Sequence, residues 1–119
     1  MKSLITITLQ LTILAMSSNA YSGIKLFCKN NYNLDPRESV SITIFENDRV
    51  LVSFDGGLYK FNEDDVSYSK KIYHMSNRFR EFKLITGSFS YSHTVQTRSC
   101  EGEFISNEVK ISVTCIDDR

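Results

Sequence analysis

The chain has 119 residues, and 14 Lys and Arg balance 14 Asp and Glu to a formal net charge of zero. That balance argues against a general nucleic-acid binder, which needs an excess of cations to displace counterions from phosphates. Eight Phe and six Tyr are enough for a packed core and exclude a disordered polar tail.

The first element is MKSLITITLQLTILAMSSNA. Lys2 forms a short positive region, and residues 4–16 form an apolar core softened by Thr6, Thr8, Gln10 and Thr12. Ser18 and Ala20 supply small residues at −3 and −1, so a secretory signal cleaved after Ala20 is expected. Roughly 13 apolar-leaning residues fall short of the ~20 that span a bilayer. The remainder, residues 21–119, suits one secreted or periplasmic domain. It holds 13 basic against 14 acidic side chains, and no later segment is long enough to cross a membrane.

Beyond the signal, period-two alternation dominates and predicts half-buried strands. Ile24, Leu26 and Cys28 alternate with Lys25, Phe27 and Lys29. Residues 30–38 hold the only proline, Pro36, and read as a loop. Val40, Ile42 and Ile44 form the next strand, and Val50, Val52 and Phe54 another, with a tight hairpin at Asn47-Asp48. Asp55-Gly56-Gly57 turns into residues 58–61, and residues 62–65 turn again. Residues 66–73 and 79–85 are less regular but rich in aromatic and β-branched side chains. Thr86-Gly87 leads into SFSYSH, where Phe89 and Tyr91 share a side. The final hairpin joins residues 97–105 to 109–115 around Ser106-Asn107-Glu108.

No window carries an apolar stripe at helical spacing. Eight or nine short strands imply an all-β fold, a small antiparallel meander closing into a β-barrel of about eight strands. Closure removes exposed edges. A two-sheet β-sandwich is the alternative.

Three cysteines, Cys28, Cys100 and Cys115, give an odd count in an oxidising compartment. Pairing Cys28 with Cys100 or Cys115 ties the first strand to the closing hairpin. Cys28–Cys100 is favoured, with Cys115 as the alternative partner. A two-residue Asn107-Glu108 turn sets Cys100 opposite Cys115, but at a hydrogen-bonded pair, where a cross-strand disulfide fits less well. The odd cysteine leaves a disulfide-linked dimer open beside the expected monomer.

A catalytic thiol needs a histidine base within hydrogen-bond reach. Only His74 and His93 exist, on different predicted hairpins, and no catalytic residue is assigned. Asp55, Glu63, Asp64 and Asp65 lack the alternating acids and distal Glu of a calcium loop. Two lone histidines without a Cys-x-x-Cys pair give no zinc signature. Neither a metal nor a cofactor is expected. The basic segment KKIYHMSNRFREFK interleaves Lys70, Lys71, Arg78 and Arg80 with Tyr73 and Phe79, a surface suited to an acidic partner or a glycan.

Residues 67–73 read Ser-Tyr-Ser-Lys-Lys-Ile-Tyr and match the Ser and Tyr ends of a Ser-Gly-x-Gly-x-x-Tyr motif. Tyr68 and Lys70 replace its glycines, and no tryptophan follows. With the signal peptide, the size and the early and late cysteines, the chain resembles the bacterial periplasmic inhibitors of animal-type lysozyme. The resemblance implies a small secreted β-barrel that occupies another protein's cleft.

Taken together, the residues favour a non-enzymatic binding module for a protein or glycan partner, with Lys70, Lys71, Tyr73, Arg78 and Arg80 as the contact surface. Two alternatives stand beside it. One is an inhibitor of an extracellular hydrolase such as lysozyme. The other is a small secreted enzyme or toxin using His74, His93 or a free thiol.

Overall fold

Alternation becomes ten strands in the structure, a computed structural model that describes residues 23–31 and 39–117. The expected signal peptide and most of the loop around Pro36 lie outside the described residues. The strands are β1 (Ile24–Asn30), β2 (Val40–Phe45), β3 (Val50–Phe54), β4 (Gly57–Phe61), β5 (Val66–Ser69), β6 (Ile72–Ser76), β7 (Glu81–Thr86), β8 (Ser90–Ser92), β9 (Thr97–Ser106) and β10 (Val109–Asp117). A 3-10 turn, Glu63–Asp65, links β4 to β5.

Every ladder is antiparallel, in the order β4-β3-β2-β1-β10-β9-β7-β6-β5. β8 lies off this path and pairs with β9 beyond the end of β7. The result is one nearly closed barrel, the expected class, rather than two packed sheets. The first and last strands are neighbours at its centre. The opening falls between β4 and β5, which are consecutive in the chain.

Inward positions carry the core. Val40, Ile42 and Ile44 of β2, and Val50, Val52 and Phe54 of β3, are all buried. Phe82 is the hub, with ring centroids 5.2 to 6.1 Å from those of Phe54, Tyr59, Phe61 and Phe104. Burying each such side chain contributes about 1.5–3 kcal/mol. Gly102 is required where β7 meets β9, because a Cβ there would lie 2.5 Å from the Ile85 carbonyl oxygen.

Residues 66–73 do not form one run. Lys70 and Lys71 turn at φ +53° and +67° and split them into β5 and β6. The inward set therefore shifts from Val66 and Tyr68 to Tyr73 and Met75, a change of parity that a two-residue turn imposes. Asp55-Gly56 turns the same way at φ +51° and +78°, with a glycine in the left-handed region that the lysine pair lacks. Asn47-Asp48 makes the expected hairpin as a three-residue connection, with Asp48 at φ +70°. On β10 the alternation holds from Ile111 inward, whereas Val109 at the turn is exposed.

The disulfide is Cys28–Cys115, and Cys100 is a buried free thiol. This corrects the Cys28–Cys100 pairing in favour of the alternative partner. The reason lies in the ladder. β10 runs between β1 and β9, so Cys115 stands opposite Cys28 on one side and Cys100 on the other. A residue gives its backbone N–H and C=O to one neighbour only. Asn31 donates to Ser112 at 3.2 Å, and alternation from that bond makes Cys28–Cys115 the non-hydrogen-bonded pair. Such pairs approach more closely, and here the Cα atoms are 3.9 Å apart. Cys100–Cys115, across the Asn107-Glu108 turn, is the hydrogen-bonded pair.

Candidate functional site at the barrel mouth

The inner face is layered. At one level Asp117 and Arg98 stand side by side on β10 and β9, with Leu26 of β1 lining the same cleft, and one step deeper stand Cys28, Cys115 and Cys100. Steps of two residues lie about 7 Å apart along a strand. The disulfide row therefore forms the floor beneath the Arg98–Asp117 row, at the end of the barrel where β1 begins and β10 ends. There the barrel opens into a cleft of ≈ 290 Å³.

Different strands supply its walls. Tyr73 of β6 is buried, and its cross-strand neighbour Tyr68 on edge strand β5 is 53% exposed. Their ring centroids are 4.2 Å apart and the planes tilt by 36°. Thr86 ends β7 and donates its hydroxyl to the Lys71 carbonyl at 3.2 Å. Phe89 precedes β8, and the Arg98 guanidinium lies 5.1 Å from its ring centroid. Lys25 reaches the cleft through a bulge. The β1–β2 register shifts between Ile24 and Leu26, and a bulge turns a side chain away from strict alternation. Both Lys25 and its neighbour Leu26 consequently line the mouth.

Two ion pairs organise the charge. Asp117 is 4% exposed and its Oδ2 lies 3.3 Å from Arg98 Nη1, whereas Arg98 is half-exposed. Lys25 Nζ lies 2.9 Å from Asp48 Oδ1 in the β2–β3 turn. A buried carboxylate is costly unless paired, and Arg98 supplies Asp117 with such a partner. The cleft combines aromatic faces with two ion pairs, Arg98–Asp117 and Lys25–Asp48.

Of the sequence-predicted contact residues, Lys70, Lys71 and Tyr73 belong to this end. Lys71 donates to Ser88 Oγ at 3.2 Å on the rim, and Tyr73 faces inward. Arg78 and Arg80 do not join them. They sit in the β6–β7 turn at the far end of β6, five residues or about 17 Å away. There Arg80 covers the Tyr59 ring at 4.9 Å, and Asn77 Oδ1 accepts from the backbone N–H groups of Phe79 and Arg80. The basic segment is thus divided by its own strand.

The acidic residues are divided too. Asp55 and Glu63–Asp65 flank opposite ends of β4, and Asp65 accepts from the Asn62 N–H at 3.0 Å. Among the described residues no group of three or more His, Cys, Asp or Glu side chains could hold a metal, and no helix is long and apolar enough to cross a membrane.

His74 alternates with inward Tyr73 and Met75, so it faces outward, where it pairs with Glu81. Cys100 faces inward. Burial pushes its thiol up and Glu101 adds to that, against the Gly87 backbone N–H and Lys71. A thiol so placed is mostly protonated at neutral pH. His93 is exposed in the β8–β9 turn, edge-on to Tyr91 at 4.8 Å.

Sequence reasoning missed Arg98 and Asp117, although a signal existed. The turn centred on Asn107-Glu108 that faces Cys100 with Cys115 also faces Arg98 with Asp117. Asp117 continues the inward set of Ile111, Val113 and Cys115, and a carboxylate at an inward position asks for a partner. The bulge that aims Lys25 had no local signal. Comparison with protein-family models, with curated proteins and with solved structures finds no match for this chain.

Proposed function

We propose that this chain is a secreted or periplasmic, non-enzymatic binding module that holds a protein or glycan partner at the barrel mouth. One observation carries the reading: strands remote in sequence place two tyrosines, a phenylalanine and two ion pairs around one concave site of ≈ 290 Å³. Binding sites favour such clefts in the mouths of barrels, where aromatic walls meet a few placed polar groups. The oxidised staple one layer below supports the secretory setting, since disulfides persist in oxidising compartments.

The test uses the two halves of the basic segment. Immobilised protein is incubated with extracellular or envelope extract, and captured material is identified by mass spectrometry. Lys70→Glu/Lys71→Glu, at the mouth end, should lose the partner, while Arg78→Glu/Arg80→Glu should keep it. The opposite pattern would move the contact to the far end and sink the reading.

A second reading, inhibition of an extracellular hydrolase such as lysozyme, draws on the same end. Residues 67–73 form the tip of the β5–β6 hairpin, with Lys70 and Lys71 exposed at its turn. A lysozyme turbidity assay distinguishes it, because inhibition should vanish in the Lys70→Glu/Lys71→Glu protein. The enzyme alternative, through His74, His93 or a free thiol, is weighed by thiol counting. A thiol that reacts fast in the folded protein would favour it; one seen only after denaturation favours a structural Cys100.

A further inference from the structure

We infer that the mouth takes an uncharged sugar ring, stacked on Tyr68 and hydrogen-bonded by Lys25 and by Arg98, which the buried Asp117 holds in place; this rests on the mouth being the binding site. Arg98 and Lys25 each already face a carboxylate, Asp117 at 3.3 Å and Asp48 at 2.9 Å. A phosphate or carboxylate ligand would have to compete with a carboxylate that is 4% exposed and held in the wall, so the interior of the cleft is poor for anions and only Lys70 and Lys71, outside it on the hairpin turn, could favour one. An apolar ligand would cover the half-exposed guanidinium without satisfying its remaining donors, at a desolvation cost. Of the strands that line the mouth, β1, β6, β7, β9 and β10 are paired on both sides, so a peptide strand could add only at the free edge of β5, by backbone pairing rather than by filling the cleft.

Sugar hydroxyls avoid these conflicts. Each donates and accepts, so one can accept from the half-exposed Arg98 guanidinium while Asp117 stays paired in the wall. The C–H face of a pyranose is apolar and suits the exposed face of an aromatic ring. Tyr68 offers such a face on edge strand β5 at the mouth, braced from behind by Tyr73 at 4.2 Å. The cleft is at the small end of ligand sites, about 300 Å³, which fits the terminal ring of a glycan rather than a long chain segment.

The test is amide and tyrosine-ring NMR of the folded, oxidised protein titrated with neutral mono- and disaccharides (glucose, galactose, mannose, N-acetylglucosamine and their β-linked dimers), with inorganic phosphate and glucuronate as controls. At least one neutral sugar should move signals of Tyr68, Tyr73, Arg98 and Asp117. Tyr68→Ala should then weaken binding about tenfold and Tyr68→Phe no more than about threefold. Both variants alter a half-exposed edge residue, and their amide dispersion checks the fold. Saturation of the mouth by phosphate or glucuronate alone would overturn the inference in favour of an anion site. If no sugar moves these signals while Lys70→Glu/Lys71→Glu still loses its partner from extract, the mouth binds a protein and the sugar inference falls alone. If neither sugar binding nor mouth-dependent capture occurs, both readings fall together.

Discussion

The two ends of this barrel are built from the same strands and have opposite characters. At the far end Phe54, Phe82 and Phe104 meet with centroids 5.2 to 6.1 Å apart and fill the interior. What remains there is a recess of ≈ 130 Å³ beside Glu81, Lys83 and Asn107. At the mouth, equivalent inward positions carry Arg98 and Asp117, and the interior opens. An apolar layer at those two positions would pack well without the desolvation that a buried carboxylate brings. The far end therefore reads as what the fold requires, and the mouth as what the fold tolerates.

If the contrast is sound, damage at the far end and beneath the mouth should be felt as lost stability, and damage within the mouth mainly as lost binding. The largest effect is expected from Cys28→Ala/Cys115→Ala. Its closed loop spans a sequence separation of 87, which in the chain-entropy account stabilises by about 4–5 kcal/mol. Urea unfolding against the oxidised protein measures it. A loss near zero would mean that the β1–β10 ladder is held by packing alone. Phe82→Ala should follow at about 3–5 kcal/mol, because four aromatic neighbours lose one partner around a shared void, with ligand capture by the still-folded fraction unchanged. Asp117→Asn is smaller, about 1–3 kcal/mol, since Arg98 is half-exposed and recovers water. It should nevertheless weaken capture more than Phe82→Ala does. Were it neutral for capture, the mouth would lose its central polar group as a contact.

Much of the apolar core was legible in the chain. Alternation at Val40, Ile42 and Ile44, and at Val50, Val52 and Phe54, names inward residues directly because strand side chains repeat every two residues. The mouth was less legible, and for stated physical reasons. The Lys70-Lys71 turn has no glycine or asparagine to announce it, so β5 and β6 read as one run. Lys25 arrives by a bulge, which depends on how β1 registers on β2 rather than on its neighbours in sequence. Whether Cys28 meets Cys100 or Cys115 depends on which strand closes against β1, a tertiary fact, although Arg98–Asp117 was available from the closing turn.

The smallest effects concern residues that the mouth region holds against their preference. Lys70 and Lys71 both lie in the left-handed region, at φ +53° and +67°, which penalises residues with a Cβ by roughly 1–2 kcal/mol each. Lys70→Asn/Lys71→Gly supplies the residues that this turn prefers, and it should raise stability by about 1 kcal/mol once the extra freedom of the unfolded glycine is subtracted. Thermal unfolding would register a gain of a few degrees. Capture should weaken at the same time, because both cations leave the rim. A more stable protein that binds less well would show stability and partner contact in opposition at this hairpin, as strained residues at functional sites do. A variant that is more stable and binds as before would show instead that the lysines serve neither end, and it would confine the contact surface to the aromatic and ion-paired interior of the mouth.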